Sequence, residues 1–316
     1  MRINFLLSFV LFTKILFAQN TEERKVYLDS VFKETAEIDS PYYRVIENED
    51  EVKEEYKFKI FYKSGKVFKE GNTRSKTNLI EEGLITSYFE NGNKKEELTI
   101  LKGTTTGTKT MWFENGKTKY IKDYLLKQKN SLLPTIKIMQ FWDKNNIQKI
   151  IDGNGFFEDE EKKCYEKGMI ENGLKTGKWI GEDKSNSFEI TFIEEYKNGE
   201  LIKGVSTDKA NIEHTYYEVN AAPKPRKGYE HFYKYIGKKF AVNKQMEATG
   251  GKVLLSFTVE KDGSINEATV LKSAGADFDN ESIRVVKQYP DWESGKYRGL
   301  KARVKYVLPI TIRPPQ

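Results

Sequence analysis

The feature that most constrains this chain is a short aromatic–glycine unit that recurs along its middle. The clearest copies are Tyr88-Phe-Glu-Asn-Gly-Asn-Lys-Lys95 and Trp112-Phe-Glu-Asn-Gly-Lys-Thr-Lys119, preceded by Tyr62-Lys-Ser-Gly-Lys66. They begin at residues 62, 88 and 112, a period of roughly 25 residues. Weaker copies follow at Phe141-Trp-Asp-Lys-Asn145, Trp179-Ile-Gly181 and Tyr196-Lys-Asn-Gly-Glu-Leu201. Between them lie glycine elements such as Gly83-Leu-Ile-Thr86, Gly107-Thr-Lys-Thr110 and Gly173-Leu-Lys-Thr-Gly-Lys-Trp179. Each unit reads as a β-hairpin. Aromatic residues end one strand, Asn-Gly supplies the positive φ of a tight turn, and a Lys/Glu-rich strand returns. One hairpin cannot bury its own apolar face, so a series of them must share one aromatic core.

Composition agrees with a β-rich chain. Among 316 residues there are 18 Tyr, 19 Phe and 4 Trp, residue types that favour strands. The pattern Tyr/Trp-Phe-Glu-Asn-Gly with a trailing Gly-Xaa-Trp resembles the MORN-type repeat, in the variant typical of bacterial antitoxin-like repeat proteins, over about residues 56–205. That resemblance implies an extended sheet used for protein or lipid contact, and no catalysis.

The chain divides into five stretches. Residues 1–18 read as a signal peptide: Arg2 gives a positive start, Phe5 to Phe12 an apolar run, and Leu16-Phe17-Ala18 a cleavage site before Gln19. The apolar run falls short of the ~20 residues that a membrane span needs. Residues 19–55 are polar, with a short helix expected around Lys25–Thr35 and a break at Pro41. The repeats occupy 56–215. A linker is expected over 216–230, where Ala222-Pro-Lys-Pro-Arg-Lys-Gly228 joins two prolines to small and basic neighbours. The last stretch, 231–316, carries 15 Lys+Arg against 9 Asp+Glu and so holds the whole formal charge of +6.

Residues 251–260 alternate cleanly. Val253, Leu255, Phe257 and Val259 share one face, while Ser256, Thr258 and Glu260 share the other. Lys261-Asp-Gly263 is a turn, and Ile265 to Leu271 a returning strand. Asp279 is placed to cap a helix that buries Ile283, Val286 and Val285. Pro290 and Trp292 end that helix, and a loop with Gly295 and Gly299 leads to a last strand, Ala302 to Ile312. The order strand, strand, helix, strand gives a small α+β unit with the helix over one face of an antiparallel sheet. Pro309 confines the last strand to a sheet edge or a bulge, because proline cannot donate to a ladder. Such an edge can accept an extended peptide, or Pro309, Arg303 and Lys305 can simply guard it against aggregation. The residues alone leave both readings open.

Gly251-Lys-Val, Val259-Glu-Lys-Asp-Gly263, Val270-Leu-Lys-Ser273, Phe278-Asp-Asn-Glu-Ser282, Pro290-Asp-Trp292, Gly299 and Lys305-Tyr-Val-Leu-Pro-Ile310 follow in the order found in the TonB C-terminal domain, which residues 232–313 resemble. The whole chain is then α+β, a hairpin-repeat array followed by a small ββαβ module. In that family the domain binds an extended segment of an outer-membrane transporter through its last strand. By position the role falls on Arg303, Val304, Lys305, Tyr306, Val307, Leu308, Pro309, Ile310 and Thr311. One departure is Phe240-Ala241 where the family has Tyr-Pro. Another is a signal peptide and repeats in place of an anchoring helix and a long Pro-rich span.

Reactive constellations are missing from the sequence. His214 and His231 are the only histidines, Cys164 is the only cysteine, and neither completes a metal site. Without a nucleophile–base pair, phosphate loop or dinucleotide fingerprint, no enzyme is expected. Acidic runs such as Glu158-Asp-Glu-Glu161 read as solvated faces. No Lys/Arg run marks a nucleic-acid surface. The expectations are therefore no cofactor, no metal and no small-molecule substrate. The partner is expected to be an outer-membrane transporter or another envelope protein, with a homodimer through edge strands also offered. The chain is expected to be exported to the periplasm or the outer membrane of a two-membrane bacterium. Two other functions remain: an energy-transducing TonB-like component of nutrient uptake that keeps residues 1–18 as an anchor, and a structural or adhesive repeat protein.

Overall fold

The computed structural model describes residues 25–50, 55–75, 79–125, 135–161, 163–185 and 188–312. The expected signal peptide lies outside them. The described residues separate into two compact units, 25–118 with 124–125, and 119–123 with 135–312.

In the first unit the strands are β1 (Val26–Leu28), β2 (Tyr42–Asp50), β3 (Glu55–Tyr62), β4 (Val67–Thr73), β5 (Glu81–Tyr88), β6 (Lys94–Leu101) and β7 (Thr104–Trp112); the division falls within β8 (Thr118–Leu125). From β1 to β7 each strand is hydrogen-bonded to its neighbours in sequence. The expected helix over Lys25–Thr35 is not formed. Val26, Tyr27 and Leu28 pair instead with Arg44, Tyr43 and Tyr42. An alternating Val-Tyr-Leu is worth more beside a waiting strand than as part of a short polar helix, which would gain no packed face. Leu28 joins Phe58, Ile60 and Ile85 in a core, with Tyr42 and Phe68 packed against it.

Aromatic residues do end the strands: Tyr62, Tyr88 and Trp112 are the last residues of β3, β5 and β7. The turns take their positive φ from the glycine and not from the asparagine of Asn-Gly. Phe89 N donates to Asn93 O and Gly92 N to Phe89 O, both at 2.9 Å, and Phe113 repeats the pattern with Lys117 and Gly116. Gly92 and Gly116 alone supply the positive φ, at 93° and 82°. Asn91 and Asn115 act through their side chains, whose Oδ1 accepts from Asn93 N at 2.9 Å and Lys117 N at 3.0 Å.

The second unit continues with β9 (Thr135–Trp142), β10 (Gln148–Ile151), β11 (Asn154–Glu161), β12 (Cys164–Glu171), β13 (Leu174–Asp183), β14 (Ile190–Lys197), β15 (Glu200–Thr207) and β16 (Glu213–Tyr216), again in sequence order. One aromatic from each of the three degenerate repeats, together with Phe157 of β11, enters a ladder. Phe141, Phe157, Trp179 and Tyr196 have successive ring centroids 4.7, 5.8 and 6.3 Å apart. The ladder needs glycine on a neighbouring strand, because a Cβ on Gly168 would fall inside the Trp179 ring; likewise a Cβ on Gly204 would fall inside the ring of Tyr216, on β16.

The stretch read as a linker forms two short strands. These are β17 (Asn220–Ala221) and β18 (Lys224–Pro225), followed by helix α1 (Gly228–Lys239) and α2 (Lys244–Thr249). The remaining elements are β19 (Gly251–Val259), β20 (Ile265–Lys272), α3 (Ala276–Lys287), β21 (Trp292–Glu293), β22 (Gly295–Tyr297), β23 (Leu300–Ala302) and β24 (Val304–Ile312). β17 pairs with β22 and β18 with β21, so the segment is stitched into the module that follows it. The C-terminal sheet has the order β20-β19-β24.

Its core is centred on Trp292, fully buried with rings of Phe232, Phe257 and Tyr306 about it at 5.4, 5.3 and 5.5 Å. Val253, Leu255, Phe257 and Val259 are buried, and so are Ser256 and Thr258 of the opposite face. Helix α3 buries Phe278, Ser282, Val285 and Val286, while Ile283 is only partly covered. Asp279 does not cap it. Gly275 is the N-cap, and Asp279, a turn further in, accepts from Ser273 Oγ at 2.6 Å and Ala274 N at 3.2 Å to tie down the preceding loop. The expected loop through Gly295 and Gly299 is a hairpin, β22–β23, closed by Arg298 and Gly299 at φ 45° and 83°.

Candidate functional site

The last strand has one partner. β24 pairs with β19 through nine consecutive residue pairs, from Gly251↔Ile312 to Val259↔Val304, without a register shift. Among the described residues its other side has no strand in the sheet. The pair Leu254↔Pro309 fixes which backbone groups are open. A proline fits an unbroken ladder only where the missing N–H would have pointed away from the partner. Alternate residues of a strand share a direction, so Lys305, Val307 and Thr311 also point their N–H and C=O groups outward. The inward set, Val304, Tyr306, Leu308, Ile310 and Ile312, bonds to β19.

Side chains divide in the same rhythm. Leu308 and Ile310 are buried in the core, whereas Lys305, Val307, Pro309 and Thr311 are exposed, Val307 by 47 %. Arg303 lies just before the strand rather than in it. Its guanidinium is held by Glu260 at 3.0 Å and Glu267 at 2.6 Å, so it is tied to the turn and to β20. Of the nine residues expected at the edge, eight are thus in β24. Four of these have exposed side chains, and of the inward four Leu308 and Ile310 are buried.

The opposite edge of the sheet is different. β20 meets β19 with two register shifts, and Glu267 sits at φ 50°. Bulges of this kind spoil an edge as a template. β24 is therefore the regular, open edge.

Helix α1 adds a feature that the sequence reading missed. Tyr229 OH lies 2.9 Å from Tyr306 OH, and the Tyr229 and Tyr233 rings, both substantially exposed, are 6.4 Å apart. Burial, followed by the bond with Tyr229, pushes the Tyr306 hydroxyl well above its ordinary pKa, so it stays neutral. The signal was present: Tyr229, Phe232, Tyr233 and Ile236 fall at i, i+3, i+4 and i+7. Phe240 caps α1, and Ala241 N donates to Glu281 Oε1 at 2.6 Å, a bond that proline at 241 could not make. Glu281 is held below the usual carboxylate range by Arg284 first, and by this backbone N–H. The departure from Tyr-Pro thus couples the end of α1 to α3.

The comparisons bear on this module alone. Residues 238–313 match the family of the Gram-negative bacterial TonB protein C-terminal. The match begins inside α1 and ends just past β24. No curated protein and no solved structure matches the chain. The repeats and strands β17 and β18 lie outside the matched TonB-type region. Among the described residues no group of three or more His, Cys, Asp or Glu is placed to hold a metal ion, and no helix is long and apolar enough to cross a membrane. Cys164 is half-buried at the rim of a cavity of about 680 Å³, with burial pushing its thiol pKa up. A thiol so shifted is a poor nucleophile.

Proposed function

We propose that the protein is a non-enzymatic binding protein of the cell envelope that takes an extended segment of an envelope partner onto the open edge of β24. The observation that carries this reading is the uninterrupted β19–β24 register through Pro309, which leaves the outward groups of Lys305, Val307 and Thr311 available along a regular edge. The partner class is an outer-membrane transporter or another envelope protein, in keeping with the TonB-type match. The hairpins before it are a MORN-type array that carries the module.

A photoreactive residue at Val307 in the native host tests the reading. Capture of one envelope protein, kept in Lys305→Ala and lost in Lys305→Pro, supports strand pairing, because proline removes only an outward donor. Capture of background alone, or capture indifferent to Lys305→Pro in a folded protein, overturns it.

A further inference from the structure

The TonB-type module meets the last repeats through space as well as through the chain. At the tip of the β22–β23 hairpin, Arg298 is 4 % exposed and Glu194 of β14 is 0 % exposed. Arg298 Nε donates to Glu194 Oε1 at 2.9 Å, and its Cζ lies 3.5 Å from the centre of the Phe192 ring. Glu194 also accepts from Tyr216 OH at 2.7 Å and Tyr196 OH at 2.9 Å. Arg298 Nη1 donates to Tyr297 OH, which in turn donates to Asp183 Oδ2 at 2.5 Å. The tip's backbone is held as well: Ser206 Oγ donates to Arg298 O at 2.6 Å, and Arg298 N to Val219 O at 2.8 Å.

This arrangement is an inefficient source of stability. A buried ion pair must first be stripped of water, and apolar side chains of equal volume commonly do as well. The left-handed φ of 45° at a non-glycine residue adds strain. What a fully bonded buried network supplies is a single geometry, since any shift leaves a charge unpaired. β24 begins only one residue after the hairpin ends. Whatever fixes Arg298 therefore fixes the start of the open edge.

We infer that Arg298 is a positioning residue: the last repeat strands, β13 to β16, form a socket that latches the hairpin tip and holds β24 in one orientation toward its partner. A pull on β24 would pass through β23 to Arg298 and into β14, an interior strand of the array. The inference rests on β24 being the binding edge, but the latch can be measured without a partner.

The experiment uses the full chain with Cys164→Ser and spin labels on Lys197→Cys and Lys287→Cys, exposed positions on β14 and α3. Electron–electron distances should form one narrow distribution. Arg298→Gly removes the charge and suits the left-handed backbone; it should broaden that distribution, and Arg298→Lys should restore much of it. Hydrogen exchange at residues 219–221 and 295–302 should rise roughly tenfold or more in Arg298→Gly, while β19 stays protected. An unchanged distribution and unchanged exchange in Arg298→Gly would sink the latch. If the latch opens but capture through Val307 keeps its yield, the tip does not position the edge. If the unsubstituted chain captures nothing, the edge reading fails and the positioning with it, while the distance data still report the latch.

Discussion

Glu194 is the residue on which opposing effects are easiest to weigh. Burial alone would push its pKa up, yet the Arg298 charge and the hydrogen bonds from Arg298 and Tyr216 outweigh it and hold the carboxyl below its ordinary 4.5. A depressed carboxylate contributes stability that is complete above its unfolded pKa and is lost as pH falls through the folded one. The second unit should therefore weaken as pH drops below 4.5, read by urea midpoints across an acid series. In Arg298→Gly that part of the acid slope should disappear. Glu194→Ala at neutral pH leaves Arg298 buried without its main partner and should cost about 3–5 kcal/mol in urea unfolding. Part of this was open to a sequence reader. Ile190, Phe192, Glu194 and Tyr196 fall on one face of a strand, so a carboxylate on an inward face was visible. Its partner was not, because Arg298 lies 104 residues away and Tyr-Arg-Gly looks like any turn.

At the scale of elements, the open edge makes a sharp distinction between neighbours in sequence. Lys305→Pro removes an outward N–H and should change stability by less than about 1 kcal/mol, as native Pro309 does without harm. Tyr306→Pro removes an N–H bonded to β19 and strips a core ring, and should cost about 1–3 kcal/mol for the bond alone. Thermal unfolding of the two variants side by side checks this. In the array, Gly204→Ala would drive a methyl into the Tyr216 ring and displace its hydroxyl from Glu194. A loss of about 1–3 kcal/mol is expected by denaturation. The hairpins and β19 were legible because period-two alternation and glycine turns are local signals. Helix α1 was overlooked because it opens at Gly228, directly after the proline-rich stretch that reads as a spacer, and contains Gly237, and β17, β18 and β21 because two-residue strands carry no periodicity.

For the molecule as a whole, the boundary between array and module is the point at which sequence and structure diverge most. Prolines 223 and 225 suggested a spacer, but both are buried, Pro225 faces Trp292 in the β18–β21 ladder, and Arg226 Nε donates to Trp292 O at 3.3 Å. A fragment of residues 231–316 should thus be less stable than one of 217–316, which keeps β17 and β18, as measured by urea unfolding of the two. The family match, which starts at 238, underestimates the folded module in the same way.

From β1 to β7 and from β9 to β16 every strand takes its ladder partners from those next to it in the chain. A hairpin can be duplicated or deleted from such a meander without re-registering what remains, whereas β13 to β16 cannot be exchanged so freely, since Asp183, Glu194, Ser206 and Tyr216 each meet the hairpin tip or its bonded carboxylate. Genetic drift in this architecture should accordingly appear as changes in array length ahead of residue 174, against a fixed terminal cassette of the last four repeat strands and the module they carry.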